Sequence, residues 1–470
     1  MTTPYWVQDA VFYQIFPDRF SNGDPDNDPP NVQPWGSPPT IWGFQGGDLR
    51  GIIARFDYLL DLGINAIYLN PIFHATSNHR YNATDYFTIE PKLGTLNDFD
   101  ALLDVAHANG VRVVLDGVFN HCGRGFFAFN DLLENGQHSP YKDWFLVNKF
   151  PLDAYGEGEA NHYQAWWSFK SLPKFNHANP KVRRYLLDVA RYWIERGADG
   201  WRLDVPNEID DDTFWAEFRR EVKSVNPDAY LVGEIWEADK HWVGEDHFDG
   251  LMHYPLRKAL LEAMTSDESS VEAFSQTAES LIDYYGHDHA YAHYVLLGTH
   301  DTERVRTLLG GESEAVKQAM LFQFFYPGAP AIYYGDEIGL EGEKDPDSRR
   351  AFPWDESQWD LRLRAFVQRL IEVRKSRAVL RRGDFRVLHK DERSRTCGFG
   401  RVLGGEAAAL ALNFSTTSEH IELPVDGLGW QDGSRLQDAV GTHEATVQDG
   451  RVRLEMAPRS GVLLVSRLPD

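Results

Sequence analysis

GWRLDVPNE, residues 200–208, sets one apolar residue, Leu203, between Arg202 and Asp204. In a strand the guanidinium and the carboxylate therefore project to the same face. A fixed cation beside a carboxylate lowers its pKa and keeps it ionised, the state a nucleophile at an electron-poor carbon requires. Ion pairs at strand ends are also common, so the spacing alone leaves a structural pair and a catalytic pair both open.

Apolar runs recur on either side of this segment, at residues 10–15, 66–69, 111–118, 201–205, 230–232, 294–297 and 331–334, with a weaker one at 250–252. Helical patterns such as residues 181–196, after Pro180, and 214–225 lie between them. Strands alternating with helices predict an α/β fold with a parallel sheet. Eight candidate strands, with no GxGxxG or GxxxxGK[ST] loop after any of them, point to a closed (β/α)8 TIM barrel rather than an open doubly wound sheet.

The barrel is assigned to residues 1–118 and 180–377. Residues 119–179, rich in Gly, Asn, His and aromatics with little helical periodicity, are far longer than an ordinary βα loop and read as an inserted subdomain over the barrel mouth. Beyond about Arg377 short alternating runs at residues 385–388, 407–412, 420–423, 451–454 and 461–465 predict a C-terminal antiparallel β-sandwich over 378–470.

A formal charge of −24 argues against nucleic acid or an anionic membrane as partner and is compatible with a neutral substrate. The 14 Trp, 20 Tyr and 28 Phe mostly serve packing, though aromatic faces also stack on sugar rings. No apolar run approaches the roughly 20 residues of a membrane span. No secretory leader is evident at the start. Cys122 and Cys397 form neither a disulfide framework nor a metal motif, so two free thiols in the cytoplasm are expected.

In a parallel barrel the active site forms at the carboxyl ends of the strands. DGVFNH (116–121), GWRLDVPNE, GEIW (233–236) and GTHDTER (298–304) end the third, fourth, fifth and seventh strands. Asp204, Glu234 and Asp301 thus converge on one mouth with His121, Arg202 and His300, a set suited to acid–base and nucleophilic work on a neutral substrate.

These four segments, in order and spacing, resemble the conserved regions of the α-amylase family, glycoside hydrolase family 13, over nearly the whole chain. The resemblance implies Asp204 as nucleophile, Glu234 as general acid/base and Asp301 as a third carboxylate supporting the transition state of a retaining glycosidase. Like charges on Asp204 and Asp301 would raise the Glu234 pKa. His121 and His300 would donate to sugar hydroxyls, and Tyr81, in HRYNATDY (79–86), would stack on the same sugar unless it is a core tyrosine.

Val205, Asn207 and Glu208, with LPKFN (172–176), HDTER (300–304) and residues 70–87, are similar to the neopullulanase, cyclomaltodextrinase and maltogenic amylase group. That likeness would set Glu208 and Trp236 beside the acceptor, although Glu208 also fits as an acid at a helix start. In DRFSNGDPDNDP (18–29), Asn22, Asp24, Asn27 and Asp28 supply hard oxygen ligands, and Gly46 and Asp48 of FQGGDL match the group's remaining calcium ligands. An Asx-rich solvated turn is the alternative.

Two departures stand out: residues 5–20 already form the first barrel strand where the group usually carries an extra β-domain that supports dimerisation, and Pro206 replaces a small residue. Monomer and homodimer both stay open. The expected activity is hydrolysis of α-1,4 bonds in maltooligosaccharides, cyclodextrins or pullulan, with some transglycosylation, and cleavage of α-1,6 bonds stays open. An α-glucosidase, glucanotransferase or trehalose-forming enzyme is the alternative, and an inactive carbohydrate-binding barrel a remote one.

Overall fold

A computed structural model describes residues 3–266 and 270–466. Eight parallel strands form the central sheet: β1 (Phe12–Ile15), β2 (Ala66–Leu69), β3 (Arg112–Gly117), β4 (Gly200–Leu203), β5 (Tyr230–Gly233), β6 (Gly250–Leu251), β7 (Tyr294–Leu296) and β8 (Ala329–Tyr333). They pair in sequence from β1 to β6, and β8 joins β1 to β7. The remaining gap is bridged where Met252 pairs with Tyr294 and the His253 N–H donates to the Tyr294 carbonyl at 2.9 Å. The eight expected strands are these eight, including the weak one at 250–252.

Strand parity sorts the side chains. Phe12, Ala66, Tyr68, Val114, Val232, Tyr294 and Ala331 pack together inside the barrel. Their neighbours in the strands, such as Tyr13, Ile67, Leu115, Trp201 and Leu231, point outward to a second core beneath the helices. Period-two alternation therefore commits Gln14, Asn70, Asp116, Arg202, Asp204 and Glu234 to the interior or its rim. Outer helices include Leu96–Ala108, Pro180–Glu195 and Asp212–Val225. The second starts within one residue of expectation, with Pro180 at its first position and Asn179 accepting from the Lys181 N–H, whereas the third starts two residues before the expected 214 because Asp211 caps it by accepting from the Phe214 N–H.

Residues 119–179 fold over the mouth around an aromatic cluster that includes Phe126, Trp144, Phe145, Tyr163 and Phe175. They contain a helix, Phe127–Asn135, that the composition does not announce, its apolar face turned into that cluster. The C-terminal strands are β9 (Asp384–Asp391), β10 (Thr396–Leu403), β11 (Glu406–Asn413), β12 (Glu419–Pro424), β13 (Arg435–Asp438), β14 (Glu444–Thr446), β15 (Arg451–Met456) and β16 (Ser460–Ser466).

A six-stranded sheet, β9-β10-β11-β16-β13-β14, packs against the β12–β15 pair, giving the antiparallel sandwich. In β11, Ala407, Ala409 and Ala411 face the pair while Ala408, Leu410 and Leu412 face the barrel side, so the strand is buried throughout and loses its alternation. β10, β13 and β14 are additional to the expected strands. In β10, Gly398 and Gly400 face the sandwich interior, where an added Cβ would lie 2.3 Å from a Leu423 methyl and 2.7 Å from a Leu428 methyl and would displace them.

Candidate active site

Arg202 is 1% exposed and organises the mouth. Its Nη1 lies 2.9 Å from Asp204 Oδ1 and 3.0 Å from Asp116 Oδ1, and its Nη2 lies 3.0 Å from Glu234 Oε2. One guanidinium from β4 therefore ties together carboxylates that follow β4 and β5 and one within β3. The turn after Asp204 completes the contact with Glu234: Val205 adopts φ 36° and ψ 51°, and its N–H donates to Glu234 Oε2 at 3.0 Å. A β-branched residue in the left-handed region stores strain of about 1–3 kcal/mol. Pro206 then opens a short 3-10 turn, Pro206–Glu208. Glu234 Oε1 accepts from the Trp236 indole at 3.2 Å.

A second chain of hydrogen bonds leads to Asp301. Gln14 Nε2 donates to His300 Nδ1 at 3.0 Å, which leaves the His300 Nε2–H to face Tyr81 Oη at 2.6 Å and Asp301 Oδ2 at 3.0 Å. Tyr81 in turn donates to Asp116 Oδ2 at 2.7 Å, as Tyr68 does at 2.6 Å. The rings of Tyr81 and His300 are nearly parallel, at 3°. Tyr81 is thus neither a plain core residue nor free: its face borders the site while its hydroxyl is held. His121 Nε2 lies 3.1 Å from the Tyr81 carbonyl, its Nδ1 facing the Asn120 amide. Arg349 Nη2 reaches Asp301 Oδ1 at 3.2 Å, and its Nε donates to the His300 carbonyl.

The electrostatics follow from burial. Burial pushes Glu234 up, Arg202 opposes it, and Asp301 and Asp116 add to the rise. Burial also drives Asp204 well above the usual carboxylate range, against Arg202 and with Glu234, Asp116 and Asp301. The expectation that Arg202 holds Asp204 ionised needs correction: Arg202 touches Asp204, but it serves three carboxylates, and one positive charge cannot compensate them all. Asp301 differs. Burial opposes its charge, but His300, Arg349 and Arg202 outweigh that and hold it below its ordinary value. His300 and His121 are pushed down to about 3 by burial, so both are neutral hydrogen-bonding groups at physiological pH.

Gln14, Tyr68, Asn70, Asp116 and Arg349 belong to this network and were outside the expected set. The first four share inward parity with core residues of their strands or, for Asn70, follow directly, so periodicity could have found them. Arg349 lies in the loop after β8, where no motif points to it. The acceptor-side candidates are nearby: Trp236 is half exposed and stacks on Tyr254 at 3.9 Å, and the Glu208 carbonyl accepts from Lys174 of LPKFN at 2.6 Å.

The 18–29 loop sits beside the helix Leu49–Ala54, and its Arg19 Nη1 donates to the Arg349 carbonyl at 2.7 Å. Asp48 caps that helix and accepts from the N–H groups of Gly23, Asp24 and Gly51 and from Asn27 Nδ2. Asn22 donates to both oxygens of Asp28. The Oδ1 atoms of Asn22 and Asn27 are buried without a hydrogen-bond partner, and a Cβ on Gly46 would lie 2.2 Å from Asp28 Oδ1. Asp24 instead turns to Arg50 at 2.7 Å.

Residues 14–382 match the family model described as Alpha amylase, catalytic domain. The chain is 41% identical over 465 residues to Neopullulanase 2 of Thermoactinomyces vulgaris, covering 98% of this chain and 78% of that one. It is 45% identical to the cyclomaltodextrinase of Geobacillus thermopakistaniensis, over 91% of this chain and 72% of the relative. Among solved structures, the cyclic α-maltosyl-(1→6)-maltose hydrolase of Arthrobacter globiformis superposes with a TM-score of 0.89 at 40% identity, over 99% of this chain and 100% of that one. With a barrel whose mouth gathers these carboxylates and sequence identity extending across barrel, insertion and sandwich, the chain belongs to the α-amylase family of glycoside hydrolases.

Proposed function

We propose that the protein is a retaining α-glucan hydrolase acting on α-1,4 and α-1,6 glucosidic bonds of small linear and cyclic maltooligosaccharides, with Asp204 as nucleophile, Glu234 as general acid/base and Asp301 as the carboxylate that holds the sugar. The observation that carries this reading is the clamp of Asp204 and Glu234 on one guanidinium. Sharing Arg202 supports the close spacing of about 5–5.5 Å used by retaining enzymes over the about 6.5–9.5 Å that leaves room for a water. The names of the relatives support small and cyclic glucans as substrates, and the two buried free thiols support a cytoplasmic setting.

In this reading the carboxyls of Asp116, Asp204 and Glu234 share protons because burial disfavours charging all of them beside one cation. Glu234 Oε2 accepts from the Val205 N–H and lies 3.0 Å from the Arg202 cation, which favours charge on that oxygen, so Oε1, which accepts from the Trp236 indole, carries the proton that passes to the glycosidic oxygen. Asp204 attacks the anomeric carbon, the leaving sugar departs with the proton, and Glu234 as a base then activates water to cleave the glycosyl ester. Positive charge developing on the sugar ring favours ionised Asp204 and Asp301 in the transition state.

Asp204→Asn should lower kcat on cyclodextrin and maltotriose by about 10⁴-fold or more with unchanged circular dichroism. Retention of normal turnover would remove Asp204 from the mechanism. For Arg349→Gln the sign follows from its partner: losing that cation lets the Asp301 carboxyl rise, so the charged form is lost at higher pH. The acid limb of kcat/KM should shift upward, with neutral-pH activity down about 10–100-fold. An acid limb that stays in place would show that Arg349 only packs.

A structural calcium ion is the second part of the proposal. The orphaned amide oxygens of Asn22 and Asn27, the Asp28 carboxylate and the close backbone at Gly46 fit a hard cation, with Asp48 framing the loop. Asp24, engaged by Arg50, would contribute only after releasing it. Bound calcium would lock this loop to the helix behind it. Chelation should lower the wild-type Tm by about 5 °C, restored by calcium, and leave Asp28→Ala unaffected. Equal responses in both proteins would argue for the solvated turn.

A further inference from the structure

Asp212, His241 and His247 bring one carboxylate oxygen and two imidazole nitrogens within 4.8 Å of one another. His241 Nε2 lies 2.9 Å and His247 Nε2 lies 3.2 Å from the same oxygen, Asp212 Oδ1. Two rings from one connection thus aim the same nitrogen at one atom of another. The spacing matters: ligands about 2.0–2.1 Å from a tetrahedral ion sit about 3.3 Å from each other. The imidazole–carboxylate separations already lie close to that value.

The group is built on fixed supports. Asp212 opens the helix Asp212–Val225, whose preceding residue Asp211 is the N-cap. The His247 side chain is only 10% exposed, its ring perpendicular to Trp242 and its carbonyl held by Arg219. His241 and Asp212 are open to solvent on the other side, at 47% and 60%. Lys240, the nearest cation along the chain, turns its ammonium over the Tyr284 ring. Asp211, next in the chain, is engaged by Arg183 and by the Phe214 N–H, so it leaves the two imidazoles to Asp212.

We propose that Asp212, His241 and His247 form a site for a divalent first-row transition ion of the zinc class, with solvent completing its coordination. Two imidazoles with one carboxylate suit such an ion better than calcium, which takes oxygen ligands in larger number. The site has a location with consequences. Asp212 follows the 3-10 turn that ends at Glu208, and His241 lies in the β5–β6 connection that begins beside Trp236. A bound ion would staple together the two loops that border the acceptor side of the mouth. The proposal stands independently of the catalytic assignments.

The experiment titrates zinc into the full chain after chelation and return to metal-free buffer, by calorimetry, with calcium saturating. Cobalt(II) absorbance reports the ligand field on the same samples. The wild type should bind one zinc equivalent with micromolar affinity, about 10-fold or more tighter than His241→Ala and Asp212→Asn. Zinc should also raise the wild-type Tm and not that of His241→Ala. His241 is exposed, so its variant should fold even where changes at His247 do not. Equal zinc binding by wild type and both variants, or none by the wild type, would overturn the proposal.

Discussion

Everything at the mouth of this barrel depends on one buried cation meeting several buried carboxylates. Arg202 points inward because β4 alternates, and the same alternation brings Asp116 and Asp204 to it. Removing so many charges from water is unfavourable unless they are paired and hydrogen-bonded. The structure answers with two tyrosine hydroxyls on Asp116, a strained backbone N–H on Glu234, and a neutral imidazole between Tyr81 and Asp301. Burial still holds the Asp116, Asp204 and Glu234 carboxyls above their ordinary range, the condition that a proton-donating carboxylic acid requires.

Rigidity around this cluster comes from separate sources. The barrel closes through the bridge at Met252 and Tyr294, helped by the Leu251 N–H donating to His293 Nδ1 at 3.0 Å, and the adjacent Gly250 tolerates no Cβ, which would sit 2.0 Å from the Ala292 carbonyl. The sandwich abuts the far side: Gln318, on helix Ser313–Phe325, donates to the Asn413 and Ser460 carbonyls at 2.7 and 2.9 Å. That helix is buried from Gln318 onward, and its two buried amides are paired: Gln323 donates to the Val295 and Ala331 carbonyls of the barrel at 2.8 Å each. Catalytic geometry at one end of the barrel is thus backed by packing at the periphery.

Much of this was legible in the amino-acid sequence because the physics is local. Apolar runs of three to eight residues identify the barrel strands, and Pro180 marks the start of the helix that follows the insertion. Four motifs at strand ends locate Asp204, Glu234 and Asp301, which the fold gathers at one mouth. What escaped depends on contacts distant in the chain. Arg349 joins Asp301 from a loop without a signature, β10 is masked by Gly398 and Gly400, which pack against Leu423 and Leu428, and the burden shared by Arg202 emerges only when β3 and β5 are set beside β4. Pro206 marks a turn whose strain rests on Val205, a feature invisible in residue types.

The most direct test of Asp204 as the nucleophile is mass spectrometry of the enzyme trapped with a fluorinated α-maltosyl fluoride, whose glycosyl-enzyme ester hydrolyses slowly. Peptide mapping should place the sugar on Asp204, within the segment GWRLDVPNE. Attachment to Glu234 or Asp301, or turnover to the β-anomer with no adduct, would contradict it.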